Sequence, residues 1–105
     1  MEKIAYIDKK LFNKKTMRQA CSLAIKDMRL EAGLTQKELG KLLNKSSQEI
    51  AKLESFYYND RRDNTSLTKL LNIALMTDKS ANEMLAMIIN RYHFMEAYNA
   101  GGSKK

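Results

Sequence analysis

One predicted helix of this 105-residue chain carries small polar side chains whose chemistry suits the recognition of other polar groups. Projected at about 100° per residue, four residues lie on the face opposite the apolar Ile50 and Leu53: Ser47, Gln48, Ala51 and Ser55. A glutamine amide can bond both N6 and N7 of adenine, a serine hydroxyl can bond several base edges, and an alanine methyl suits the methyl of thymine. Taken alone, such a face is more typical of a plain solvated helix, so its meaning depends on the elements that position it.

Two capping boxes mark the starts of two short helices around this face. Thr35 with Glu38, and Ser46 with Glu49, place a hydroxyl at each N-cap and a glutamate three residues later. This pattern satisfies free backbone N–H groups in a first helical turn. Two residues remain between the helices, and Asn44, the first of them, tolerates the left-handed conformation of a helix C-terminus. The stretch therefore predicts a helix-turn-helix.

Apolar residues predict an inward face for each of these two helices. They are Leu39, Leu42 and Leu43 on the first helix and Ile50 and Leu53 on the second. We expect Gly40 to let the second helix cross closely, because it has no side chain. Lys45 would lay its aliphatic stem over the core and keep its amine in water.

Residues 25 to 85 resemble the helix-turn-helix of the lambda repressor and Cro family, also called Xre-type DNA-binding proteins. The resemblance rests on Leu34-Thr35-Gln36-x-Glu38-Leu39, Ile50-x-x-Leu53-Glu54, Ser66-Leu67-x-x-Leu70-Leu71 and Ser80-x-x-Glu83-Met84-Leu85. It implies an all-α, five-helix lambda-repressor-like domain with the helix-turn-helix at helices 2 and 3. Asn44 and Gly40 stand where the family usually has Gly and Ala, and we expect these exchanges to change little. Residues 55 to 64 form a longer, more aromatic segment than the usual family loop.

The resemblance also implies a set of DNA contacts made by helix 3 in the major groove. Ser47 and Gln48 occupy positions that read bases, and Ala51 and Ser55 lie on the same face. Phosphate contacts are expected from Gln36, Lys45, Ser46, Lys52, Arg61 and Arg62, and Lys69 could also flank the groove. Phosphate contacts position a protein on DNA without specifying sequence, and each basic residue could equally be ordinary surface charge.

Charge and composition agree with a polyanionic partner. The formal net charge is +7, no proline is present, and glycine occurs four times, as in a helical single domain with few turns. Residues 1 to 30 carry eight basic and three acidic residues, a net of +5, whereas residues 31 to 60 carry four and five, a net of −1. The sequence divides into a basic arm at 1–15, a DNA-binding domain at 16–98 and a flexible tail at 99–105.

The remaining helices have recognisable ends. Thr16 with Gln19 predicts a capping box for helix 1, which would run to residue 32 before Gly33. Helix 4 is predicted from near Ser66 to near residue 76, and helix 5 from a capping box at residues 80 and 83 to about Tyr98. The first fifteen residues, which include Ile4, Tyr6 and Ile7, could form a short strand or an arm packed on the body.

Helix 5 carries more apolar surface than one core contact needs. Its apolar residues span about 220° of the circumference, whereas a helix on a single core needs a stripe of little over 100°. We expect the surplus to form a dimer interface through Met84, Ile88, Tyr92 and Met95. A dimer could read a two-fold DNA site with half-sites about 34 Å apart. The alternative is that the N-terminal arm covers this surface.

Catalytic and metal chemistry have little support in the sequence. Cys21 is the single cysteine and is expected on the buried face of helix 1, in a chain suited to a reducing cytoplasm. The single histidine, His93, has no metal-ligand partner in helical register except Asn90 and Glu96. The longest apolar run, residues 84 to 89, is too short to span a bilayer, and no secretory segment is apparent. The sequence predicts no enzyme, no cofactor and no metal.

These observations predict a sequence-specific regulator of transcription that binds double-stranded DNA and acts as a dimeric repressor. We expect it to be cytoplasmic, associated with the nucleoid, and of bacterial or phage origin. Two alternatives remain open. The chain could be the antitoxin of a toxin and antitoxin pair, with the arm or helix 5 bound to a toxin protein. It could also be a protein-interaction module whose basic charge is incidental.

Overall fold

The computed structural model describes residue 7 and residues 9–55 and 66–102, and every regular element in them is an α-helix. In chain order these are α1 (Lys14–Glu31), α2 (Gln36–Leu43), α3 (Ser47–Glu54), α4 (Leu67–Met76) and α5 (Ala81–Gly102). This architecture confirms the predicted all-α, five-helix lambda-repressor-like fold. The predicted bounds of helix 4 are confirmed, with Ser66 as N-cap accepting a hydrogen bond from the Lys69 N–H at 3.2 Å.

α1 and α5 form the most extensive helix pair of the fold, α3 and α4 also contact α1, and α2 packs against α3 and α4. The core lies between them and includes Ala24, Ile25 and Met28 of α1, Leu39 of α2 and Ile50 of α3, all fully buried. Because each of the two short helices sends a fully buried aliphatic residue into this core, the α2–α3 unit has a fixed orientation against α1.

The first helix starts earlier than the sequence predicts. Asn13 is the N-cap of α1, and its side-chain oxygen accepts a hydrogen bond from the Thr16 N–H at 2.9 Å. The predicted Thr16–Gln19 capping box is therefore wrong. Both residues are buried inside the helix, where the Asn99 amide donates to the Thr16 hydroxyl at 3.3 Å and to the Gln19 side-chain oxygen at 3.0 Å.

The same asparagine corrects the predicted end of helix 5. α5 continues through Gly102 instead of ending near Tyr98, so residues 99 to 102 of the predicted flexible tail are helical. Asn99 anchors this last part because it bonds two buried side chains of α1. The capping box at the start of α5 is confirmed: Ser80 and Glu83 exchange hydrogen bonds of 2.7 and 3.1 Å.

The predicted dimer residues of helix 5 lie in the core of the protomer. Met84, Ile88, Tyr92 and Met95 are at most 5% exposed, so the protomer itself covers them. The assignment of these four side chains to a dimer interface must be corrected. The large apolar residues that the described part of α5 exposes are Leu85, Phe94 and Tyr98.

Part of the N-terminal arm covers α5, as the alternative interpretation proposed. The Phe12 ring stacks on the Tyr92 ring with centroids 6.0 Å apart, and the Asn13 N–H donates to the Tyr92 hydroxyl at 2.9 Å. Ile7 is half-buried and packs against the core. The expectations for Ile4 and Tyr6 lie outside the described residues.

Cys21 is buried in α1, as the sequence predicts. Burial disfavours its thiolate and raises the pKa of the thiol to about 11. A thiol with so high a pKa is a poor nucleophile at neutral pH. Cys21 therefore acts as a small core residue.

Candidate nucleic-acid interface

The turn between α2 and α3 is fixed by backbone conformation and by two caps. Asn44 adopts the left-handed conformation with φ 60° and ψ 46°, which confirms its predicted role. Thr35 accepts from the Glu38 N–H at 3.0 Å and donates its own N–H to the Glu38 carboxylate at 2.8 Å. Ser46 and Glu49 exchange the equivalent bonds at 3.1 and 2.8 Å. Both predicted capping boxes are confirmed, so both helix starts are determined locally.

Gly40 is required by the turn more than by the second helix. A Cβ atom at this position would lie 2.5 Å from the backbone oxygen of Lys45 and 3.3 Å from its carbonyl carbon. The Lys45 N–H donates to the Gly40 oxygen at 2.7 Å and holds the turn against α2. The expectation that Gly in place of the family's usual Ala changes little is therefore wrong for this chain, since an alanine would collide with backbone.

A buried charge network clamps the end of α3. Arg29 of α1 makes two hydrogen bonds to the Glu54 carboxylate, from Nε at 2.6 Å and from Nη2 at 3.0 Å. Its Nη1 donates to the Leu34 oxygen at 2.8 Å, and the Gln36 amide donates to Glu54 at 3.1 Å. The Arg29 and Glu54 side chains are 9% and 4% exposed. The network joins α1, the start of α2 and the end of α3.

The hydrogen bonds that Arg29 donates to the Glu54 carboxylate raise the pKa of the Arg29 guanidinium. This network was not predicted from the sequence, although Glu54 lies four residues after the inward Ile50. A charged residue on a core face needs a buried partner. The position of Glu54 on the same side of the helix as Ile50 was the signal available in the sequence. Its partner Arg29, however, lies 25 residues away in the chain.

The predicted base-reading residues lie on the outer side of α3. Ser47 and Gln48, at the helix start, are exposed, while Ala51 is half-buried. Ser55 is half-buried and is the C-cap of α3, with an extended backbone at φ −92° and ψ 106°. Ser47, Gln48 and Ala51 therefore lie in the first two turns of α3, and Ser55 follows directly after the end of the helix.

The predicted phosphate-contacting residues divide into those near α3 and those outside the described residues. Gln36 is half-buried with its amide on Glu54, and Lys45 is half-buried beside Leu43 and Leu53. Ser46 and Lys52 are exposed. The backbone hydrogen bond from Ser46 lowers the pKa of Glu49, and the charges of Lys45 and Lys52 lower it further. Arg61 and Arg62 fall outside the described residues.

A shallow groove next to the turn adds one basic residue to this side of the molecule. Lys69 and Asn72 of α4 line it together with Lys45 and the apolar Leu43, Leu53 and Ile73. Lys45 thus lies along apolar side chains, as the sequence analysis expected for its stem. Lys45 of the α2–α3 turn and Lys69 of α4 therefore line the same groove.

The described ranges were also searched for metal sites and for membrane-spanning helices. His93 lies 3.0 Å from the Glu96 carboxylate, and no group of three or more His, Cys, Asp and Glu residues there is placed to hold a metal ion. None of the helices in these ranges has the length and apolarity needed to cross a lipid bilayer.

Comparison with protein-family models adds an independent observation. Residues 25–83, more than half of the chain, match a family model described as Helix-turn-helix, the lambda repressor and Xre type. The match runs from the middle of α1 to the first turn of α5 and includes α2, the turn and α3. Neither a curated protein nor a solved structure gives a match. The capped helix-turn-helix and the family match agree, and the chain belongs to the Xre and lambda repressor type of helix-turn-helix proteins, a family of DNA-binding regulators of transcription.

Proposed function

We propose that this protein represses transcription by binding a specific double-stranded DNA site as a dimer, with α3 in the major groove. The observation that carries the proposal is the exposed pair Ser47 and Gln48 on a helix whose other side is held by Ile50 and Glu54. A reading helix must be rigid, because hydrogen bonds to base edges tolerate little misplacement. Repression needs no further chemistry, since an occupied site excludes other proteins.

Gln48 is the residue that we propose to specify a base. Its exposed amide can donate to and accept from one adenine edge, whereas Ala51 offers a methyl group one turn later. Ser47, at the first helical position, and Ser55, at the C-cap, would add hydroxyl contacts. The reading face carries no arginine, so we expect adenine and thymine to dominate the preferred half-site.

Phosphate contacts would come from the rim of this face and from the basic groove. Lys45, Ser46 and Lys52 flank the start and outer side of α3, and Lys69 joins Lys45 at the groove. Gln36 has one amide hydrogen on Glu54, so the other can reach a phosphate. Together with Arg61 and Arg62, these groups would position the protein without reading sequence.

The first experiment tests sequence readout directly. Duplexes selected from a random library are titrated by fluorescence anisotropy beside a scrambled duplex. A dimer that neutralises about six to ten phosphates should lose on the order of a thousandfold in affinity between about 50 and 200 mM salt. Equal affinity for the selected and scrambled duplexes at every salt concentration would defeat the proposal.

Substitution then separates reading from positioning. Gln48→Ala should cost about 1 to 3 kcal/mol on the selected site and relax the preference at one base pair. Arg61→Ala and Arg62→Ala should weaken binding to all sequences and flatten the salt dependence. Asn82→Ala, on the exposed first turn of α5, is the matched control and should change neither. An unchanged base preference in Gln48→Ala would mean that α3 is read in another register.

A further inference from the structure

The outermost line of α3 contains a lysine as well as the glutamine that we propose to read a base. Ile50 is fully buried and marks the side of α3 that faces the core. At about 100° per residue, Gln48 lies about 160° and Lys52 about 200° around the helix from Ile50. Both side chains are exposed, and they are one helical turn apart. Lys52 therefore lies as far from the core side of α3 as Gln48 does.

Two other residues of the predicted reading face lie nearer the flank of the helix. On the same projection, Ser47 lies about 60° and Ala51 about 100° from Ile50. The half-buried state of Ala51 agrees with this flanking position. When α3 enters the major groove with Gln48 toward the base edges, Lys52 must also face base edges.

The two acidic residues of α3 do not lie on this outermost line. The Glu49 carboxylate accepts a hydrogen bond from the Ser46 N–H at 2.8 Å, which holds it at the start of the helix. Glu54 is buried with Arg29. A carboxylate on a reading face would accept a hydrogen bond from the cytosine amino group. The outermost line of α3 instead combines one amide with one ammonium group.

An ammonium group discriminates among bases because it has three donors and no acceptor. In the major groove, guanine presents two neighbouring acceptors, O6 and N7, and a lysine can bond both of them. Adenine presents its N7 acceptor beside an amino donor, and cytosine presents an amino donor. The chemistry of Lys52 therefore suits guanine, whereas the amide of Gln48 suits adenine.

We propose that Lys52 is a specificity-determining residue that donates hydrogen bonds to O6 and N7 of a guanine. The inference rests on the proposed function and refines it, because it moves Lys52 from the residues that position the protein to those that read bases. Four residues of an α-helix span about 6 Å, and successive bases of a strand lie about 3.4 Å apart. The guanine therefore lies about one or two base pairs from the adenine that Gln48 reads, as a fixed G·C pair among A·T pairs.

Selection from a random duplex library, repeated with variants, tests the role of Lys52. Lys52→Gln exchanges the ammonium group for an amide, so the preferred base at this position should change from guanine to adenine. Lys52→Arg should keep guanine, because a guanidinium bonds the same two acceptors. Lys26→Gln, at an exposed site on α1, removes the same charge and is the control that should keep the wild-type preference at every position.

Anisotropy titrations then measure the discrimination on the selected duplex and on a duplex in which the G·C pair is replaced by A·T. The wild-type chain should bind the second duplex about 10 to 100 times more weakly, and Lys52→Gln should lose or reverse this difference. Lys45→Gln removes the same charge from a residue that we place at the phosphates. It should weaken binding to both duplexes by the same factor and lower the salt slope by about one.

The outcomes separate this inference from the proposed function. If the wild-type chain does not distinguish selected from scrambled duplexes, sequence readout fails and the role of Lys52 fails with it. If the wild-type chain reads sequence but Lys52→Gln weakens binding to both duplexes equally, as Lys45→Gln should, Lys52 contacts phosphate and only the inference is overturned. A selected site without a guanine within about two base pairs of the Gln48-dependent adenine overturns it as well.

Discussion

α3 and α5 meet the same core in opposite ways. α3 buries Ile50 and Glu54 and turns polar residues such as Gln48 outward. α5 buries a long stripe that includes Tyr92, yet it still exposes apolar residues such as Phe94 on its outer side. The outer surface of α3 therefore carries specific polar chemistry, whereas that of α5 differs little in character from its buried stripe. The single apolar stripe of a helix such as α3 determines which side of the helix faces the core. A helix that is apolar on most sides is oriented by the helices that pack against it.

The prediction with the largest expected effect concerns which face of α5 packs against the core. Met95→Glu buries a charge at a site that is 1% exposed, and we expect it to destabilise the fold by roughly 4 kcal/mol or more. Leu85→Glu, at a 48% exposed site of the same helix, should change stability by less than about 1 kcal/mol. Urea unfolding followed by circular dichroism measures both. Equal tolerance of the two changes would mean that the buried stripe of α5 is misplaced.

The next prediction concerns how α3 is held. Glu54→Ala leaves the Arg29 charge buried without its carboxylate, and it should cost about 3 to 5 kcal/mol of unfolding free energy. Asp27→Ala breaks the more exposed pair with Arg91, where Nε lies 2.6 Å from the carboxylate, and should cost about 1 kcal/mol or less. The same urea titration compares them. A smaller loss for Glu54→Ala than for Asp27→Ala would show that the network does not clamp the end of α3.

Alanine substitutions at two glycines compare the turn between α2 and α3 with the end of α5. Gly40→Ala forces a Cβ against backbone at 2.5 Å, so we expect a loss of about 1 to 3 kcal/mol in spite of the better helix propensity of alanine. Gly101→Ala in α5 has no atom within 4 Å of the added Cβ and should be neutral or stabilise by up to about 1 kcal/mol. Thermal unfolding of both variants gives the comparison. If Gly40→Ala were the more stable of the two, the turn would have room to move.

The smallest expected effect is a pH dependence shared by the caps of α3 and α5. Backbone hydrogen bonds from Ser46 and Ser80 lower the pKa of Glu49 and of Glu83, respectively. Each carboxylate therefore stabilises the fold fully above its ordinary, unfolded pKa. The contribution is lost as the pH falls from about 5 through the lowered folded pKa.

Urea titrations across this acid range measure the slope of stability against pH. Glu49→Gln and Glu83→Gln keep a capping amide but cannot titrate, so each should lose part of the acid dependence of the wild type. Because the two boxes have the same geometry, the two variants should behave alike. A slope unchanged from the wild type in both would show that the caps do not couple to pH.

Much of the helix-turn-helix could be predicted from the sequence because its determinants are local. Each capping box joins residues three apart, and the left-handed Asn44 needs no distant partner. The bounds of α2, α3 and α4, the all-α class and the family followed from such signals. The outward position of Ser47 and Gln48 followed too, since Ile50 and Leu53 determine which side of α3 is inward.

The features that only the tertiary structure determined depend on contacts between residues far apart in the chain. Arg29 and Glu54 are 25 residues apart, and Asn99 meets Thr16 across 83, so no spacing rule could pair them. The start of α1 was mistaken because a capping pattern inside the helix is indistinguishable by sequence from one at its start. The buried stripe of α5 was chosen by contact with α1 and with Phe12, because a helix apolar on most sides gains similar burial energy from several faces and shape complementarity makes the choice.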